Sequence, residues 1–143
     1  MKKIILFGVF FSILLSVNAQ EWLTDLEQAK TVAAEENKKI VLVFQGSDWC
    51  APCIKLNKEI WSTEEFKNYA KKHFVLLKAD FPRKKKNKLE KSQQEKNTKM
   101  AEQYNTKGFF PLVVVLDNQG VVLGESGYKK TTPSEYIKLL DSF

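Results

Sequence analysis

Histidine occurs once in this chain of 143 residues, at His73, and cysteine twice, at Cys50 and Cys53. A structural zinc site takes four nitrogen or sulfur ligands and a catalytic site three, so these residues fall short of the first set and meet the second only if all three converge. The histidine stands at the start of an expected strand rather than beside the cysteines, and no metal is expected. Soft thiolates do suit Cu(I), which leaves a copper-handling dithiol as one alternative. Long apolar runs are equally scarce. Residues 4–15 form one, shorter than the ~20 residues that span a bilayer. The longest later run, residues 111–116, gives way at once to Asp117-Asn118-Gln119-Gly120. There is no internal repeat. Aromatic residues are missing from the densest basic stretch, Arg83-Lys84-Lys85-Lys86-Asn87-Lys88, which argues against nucleic acid as a partner.

What is present begins with a leader. Met1-Lys2-Lys3 precedes the apolar residues 4–15, and Ser16-Val17-Asn18-Ala19 follows with small or aliphatic residues where a signal peptidase reads, the pattern of a secretory signal cleaved after Ala19. No cysteine stands near that point to carry a lipid. The expectation is a signal at residues 1–19 and one domain at residues 20–143, a length suited to one core, periplasmic or secreted. Losing Lys2 and Lys3 takes the basic residues from 23 to 21 against 17 acidic ones, so the formal charge falls from +6 to +4. Outside the cytoplasm, thiols are driven toward disulfides unless a donor keeps them reduced.

Periodicity predicts alternating helices and strands. Leu23, Leu26, Ala29 and Ala33 recur at helical spacing, with Thr24 as cap and Glu27 three residues on, giving a helix over residues 25–37. Ile40-Val41-Leu42-Val43-Phe44 is an uninterrupted run of the kind buried on both faces of a sheet. A turn, Gln45-Gly46-Ser47-Asp48, leads to a helix from Cys50 through Leu56, Ile60 and Trp61. Ser62-Thr63-Glu64-Glu65 reads as a second capping box, with Ser62 as cap, that opens another helix, and residues 73–81 read as a second strand. After the basic segment, residues 83–91, whose run from Arg83 to Lys88 reads as a solvated loop, comes a helix that turns amphipathic near Met100 and Tyr104. Residues 112–116 form a third strand, residues 117–120 a hairpin turn, residues 121–124 the returning strand, and Thr132-Pro133 caps a last helix. This is an α/β order: a βαβ unit and then a ββα unit, building a central mixed sheet with helices on both faces.

The cysteines thus lie at a strand-to-helix junction. A bridge across two intervening residues closes so short a loop that it removes little chain entropy, which disfavours a purely structural staple. The run Ile40 to Phe44, Trp49-Cys50-Ala51-Pro52-Cys53 at a helix start, and Gly108-Phe109-Phe110-Pro111 before a strand that turns at Asn118-Gln119-Gly120 together resemble the thioredoxin-fold superfamily over all of residues 20–143. Gln45 to Cys50 and Trp61 to Phe66 are similar to exported thioredoxin-like proteins and to the C-terminal periplasmic domain of transmembrane thiol-disulfide reductases.

The resemblance implies a thiol-disulfide oxidoreductase, with Cys50 attacking, Cys53 resolving and Pro111 as a cis-proline beside them. It also implies that Trp49, Pro52 and Phe110 join Pro111 in a substrate groove. Such a protein, expected as a monomer, exchanges with protein thiols and disulfides and draws electrons from a membrane thiol donor. It needs no organic cofactor, because the dithiol carries the electrons. The chain departs from the family in two places. The buried acid near the end of the first central strand is missing, since Val43 and Phe44 occupy the matching positions, and a bulky Phe110 precedes the proline. A binding or holdase module built on Trp49, Trp61, Phe109 and Phe110 is the alternative from another functional class.

Overall fold

The computed structural model describes residues 20–143; the leader expected at residues 1–19 lies outside them. Five strands form one mixed sheet in the order β1-β3-β2-β4-β5. They are β1 (Trp22–Leu23), β2 (Lys39–Gln45), β3 (Phe74–Asp80), β4 (Leu112–Leu116) and β5 (Val122–Ser126). Strands β1 and β2 run parallel to β3, while β4 is antiparallel to both β2 and β5.

The expected burial of β2 on both faces holds. Val41 and Val43 point to one side with Leu56, Trp61, Phe66 and Tyr136. Ile40, Leu42 and Phe44 point to the other with Ala29, Ala33, Met100 and Tyr104. Alternation along a strand makes this division. Helices α1 (Leu26–Glu36) and α4 (Lys91–Tyr104) cover the second side, and α2 (Ala51–Leu56), α3 (Glu64–His73) and α5 (Pro133–Asp141) cover the first.

Several local expectations are corrected. The cap of α1 is Asp25, not Thr24: its carboxylate accepts from Gln28 N at 2.9 Å and pairs with Lys96 of α4 at 2.7 Å. Aspartate is among the strongest N-caps, and here the tertiary ion pair reinforces it. Thr63, not Ser62, caps α3. His73 ends α3 instead of opening β3, where it stacks on Tyr69 with ring centroids 4.1 Å apart. The short edge strand β1 was not foreseen, because a two-residue strand leaves no periodic signal.

The helix expected to run regularly from Cys50 to Trp61 also changes pitch. Residues Asn57–Trp61 form a π-helical turn, with Ser62 N donating to Asn57 O at 2.8 Å. Widening the turn swings Trp61 toward the face that Leu56 and Ile60 already occupy. All three are buried as a result.

Candidate active site

The site gathers at one end of the sheet because of strand direction. Strands β2 and β3 are parallel and finish together, Gln45 beside Asp80. Strand β4 runs the opposite way, so its beginning lies there too, with Leu112 opposite Phe44. Residues about sixty positions apart in sequence therefore meet: the Cys50 loop leaves β2 where the Pro111 loop enters β4.

Cys50 and Cys53 form a disulfide, with Cα atoms 5.2 Å apart. Cys50 is the N-cap of α2, in extended conformation, and its sulfur accepts from Cys53 N at 3.3 Å. The first N–H groups of a helix have no partner within it and form its positive end, a setting that lowers a thiol pKa. Pro52 stands in the first turn of α2, where its missing N–H costs little. Both cysteines are buried in this oxidised form, at 4 % and 3 % exposure. Burial therefore does not distinguish them, but position does: one caps the helix and the other lies inside it.

The Phe110–Pro111 peptide bond is cis. Phe109, Phe110, Pro111 and Pro52 line a groove of about 570 Å³ together with Glu125, Gly127 and Tyr128. Trp49 lies outside that lining and reaches it through Phe110, ring to ring at 5.5 Å. Its indole N–H donates to Phe81 O at 2.7 Å, and the Arg83 guanidinium lies 3.6 Å above its ring. A Cβ at Gly46 would overlap the indole.

Three polar residues that sequence reasoning passed over hold the loops. Asp80 accepts from Ser47 N at 2.9 Å and Ser47 Oγ at 2.6 Å. Asn105 is buried and brackets the residue before Phe110: its Oδ1 accepts from Phe109 N and its Nδ2 donates to Phe109 O, both at 2.9 Å. Asp48 accepts from the backbone of Arg83 and Lys84. These N–H groups, with Asn87, hold its carboxyl below the usual value, Arg83 contributing most. Asp48 falls in a stretch that reads only as turn chemistry and Asn105 near the end of an expected helix, so the sequence carried the residue types but not their partners.

The missing acid is real in three dimensions. Val43 and Phe44 are buried among apolar groups on opposite faces of the sheet, and the buried polar residues among those described are Asn97 and Asn105, with no carboxylate. His73 lies before the first residue of β3, a strand's length of about 20 Å from the dithiol end. Among the described residues no three or more His, Cys, Asp or Glu gather as a metal site, and no helix is long and apolar enough to cross a membrane.

Comparison with known proteins gives concordant similarities. A family model described as thioredoxin-like matches residues 21–118. Disulfide bond reductase DsbH of Chlamydia pneumoniae is 35% identical over 108 residues, which cover 76% of this chain and 63% of that protein. The match thus spans less than two thirds of that relative's length. A solved structure of DsbH oxidoreductase superposes with a TM-score of 0.77 at 33% identity, covering 85% of this chain and 82% of the other. The oxidised C-terminal domain of Neisseria meningitidis DsbD shares the fold, with a TM-score of 0.57 at 15% identity over 85% of this chain and 98% of that one.

Proposed function

The chain belongs to the thioredoxin-like family, and from that premise we propose that it is a thiol-disulfide oxidoreductase that reduces disulfides in other proteins. The observation that carries this is the Cys50–Cys53 pair at the start of α2, beside the groove lined by Pro52 and Pro111. The name of the relative DsbH, a disulfide bond reductase, favours the reducing direction.

The chemistry requires nothing beyond the two cysteines and an outside dithiol. The Cys50 thiolate attacks one sulfur of a substrate disulfide, and the other substrate sulfur leaves as a thiolate, forming a mixed disulfide. The Cys53 thiolate then attacks Cys50 Sγ and releases the second substrate thiol. Two electrons have passed to the substrate and the Cys50–Cys53 disulfide has formed. Stabilising Cys50 at the helix N-terminus makes it both a ready nucleophile and a good leaving group. Trp49, Pro52, Phe110 and Pro111 form the substrate-side surface in this reading, with the Phe110 backbone available to pair with an extended peptide.

Residues 1–19 support export, and a periplasmic or secreted dithiol needs a supply of electrons. A membrane-bound thiol donor is therefore the partner class that fits, with the protein acting as a monomer. The direct test is turbidity from insulin reduction by dithiothreitol. The native protein shortens the lag and Cys50→Ser does not; identical traces for native protein, variant and a protein-free control would refute the proposal.

A further inference from the structure

The basic run that reads in sequence as a solvated loop is fastened to the loop that carries the dithiol. Asp48, two residues ahead of Cys50, accepts from Arg83 N at 2.9 Å on one carboxylate oxygen, and from Lys84 N at 3.0 Å and Asn87 Nδ2 at 2.9 Å on the other. Trp49, next to Cys50, binds Phe81 O through its indole N–H and lies beneath the Arg83 guanidinium. Both residues that precede the attacking cysteine thus hold the segment from Phe81 to Asn87.

The cations themselves are left for something else. Arg83, Lys84, Lys85, Lys86 and Lys88 are all exposed, and none of them forms an ion pair among the described residues. Two nearby carboxylates are occupied by protein donors: Asp48 by this segment, and Asp80, the last residue of β3, by Ser47 and Phe81. Continuity with the groove runs through Trp49, whose ring carries the Arg83 guanidinium over one face and packs at a tilt against Phe110. Residues 83–88 carry no apolar side chain that would enter a bilayer, as membrane-surface segments do.

We propose that residues 83–88 form a cationic docking rim of the active site, which selects protein substrates whose target disulfide is flanked by acidic residues. This rests on the oxidoreductase reading and adds the substrate class to it. A single exposed ion pair contributes little. A one-sign patch fastened to the loop that carries the dithiol raises the encounter rate, and at 0.1 M salt screens that attraction beyond about 10 Å.

The test uses the reduced protein and two synthetic peptides of equal length, each closed by one disulfide and flanked by either four glutamates or four lysines. Second-order rate constants for peptide reduction are followed by stopped flow at low and high ionic strength. At low ionic strength the glutamate peptide reacts about tenfold faster or more, and at high salt the two rates converge to within about twofold. In Lys84→Gln/Lys85→Gln/Lys86→Gln/Lys88→Gln, the glutamate peptide slows while the lysine peptide speeds up, an opposed pair of changes that misfolding cannot produce. Equal rates for both peptides with native protein at low salt, or a preference that survives the quadruple substitution, overturn the proposal. Loss of binding to anionic phosphatidylglycerol vesicles in that variant, without peptide discrimination by the native protein, assigns the rim to lipid and also overturns it. Failure to reduce either peptide defeats the oxidoreductase reading, and the rim with it.

Discussion

Gly46 shows how much one residue decides at this site. Its carbonyl accepts from Trp49 N at 3.3 Å and Cys50 N at 2.9 Å, closing the turn that aims the dithiol. The space where a side chain would begin is filled by the Trp49 ring. The indole cannot simply shift aside, because its N–H is held by Phe81 O and its ring is packed between Arg83 and Phe110. Gly46→Ala therefore costs about 1–3 kcal/mol, the usual penalty of overpacking. It should also change the tryptophan emission, since the indole must leave its hydrogen bond. Urea unfolding and fluorescence check this together, and an unchanged midpoint would show that the indole is free to move. In the sequence, Gly46 was readable as a turn residue. Its contact with a ring three positions on was not.

Among elements, the loop ahead of α2 and the short 3-10 turn Lys85–Asn87 behave as one unit, joined by the Asp48 carboxylate. Hydrogen bonds from Arg83 first and Asn87 next hold the Asp48 carboxyl below its usual value. A depressed folded pKa means that the tie is complete above the unfolded value and weakens as pH falls through the folded one. Asp48→Asn keeps the size and removes the charge that draws these donors. Trypsin should then cut within residues 83–88 faster in the variant at neutral pH, with cleavage elsewhere unchanged. Equal cutting rates in both proteins would mean that other contacts fix the segment. The segment's lysine-rich composition carries no sign of this tie, which rests on one half-buried carboxylate 35 to 39 residues earlier in the chain.

The whole molecule responds to pH through Tyr136. Its hydroxyl donates to Gly127 O at 2.8 Å, its ring meets Trp61 edge-on at 5.5 Å, and it is fully buried. Burial pushes the phenol up to about 12, against about 10 in an unfolded chain. Between those values the unfolded chain loses the proton and the folded one keeps it, so stability is whole below about pH 10 and declines as pH rises toward 12. The loss amounts to about 2–3 kcal/mol. Urea midpoints measured from pH 9 to 12 should fall more steeply for the native protein than for Tyr136→Phe, the other tyrosines being common to both. Parallel declines would remove Tyr136 as the cause. The position follows from the π-helical turn Asn57–Trp61, which brings Trp61 into the same core cluster as Tyr136.

The sequence by itself determined the α/β order, the doubly buried β2, the junction that holds Cys50 and Cys53, and the hairpin after β4. Each of these is written in neighbouring residues, as hydrophobic periodicity or as turn and cap chemistry, and local physics reads it. It also placed Val43 and Phe44 where an acid is missing. Only the tertiary structure decided that Asp25 rather than Thr24 caps α1, that β1 joins the sheet edge, and that the helix widens before Trp61. It alone decided that Asp48, Asn105 and Arg83 belong to the site. Asp25 pairs with Lys96, β1 with β3, and Asp48 and Trp49 with residues 81–87, partners far along the chain whose energies appear only once the sheet has brought them together.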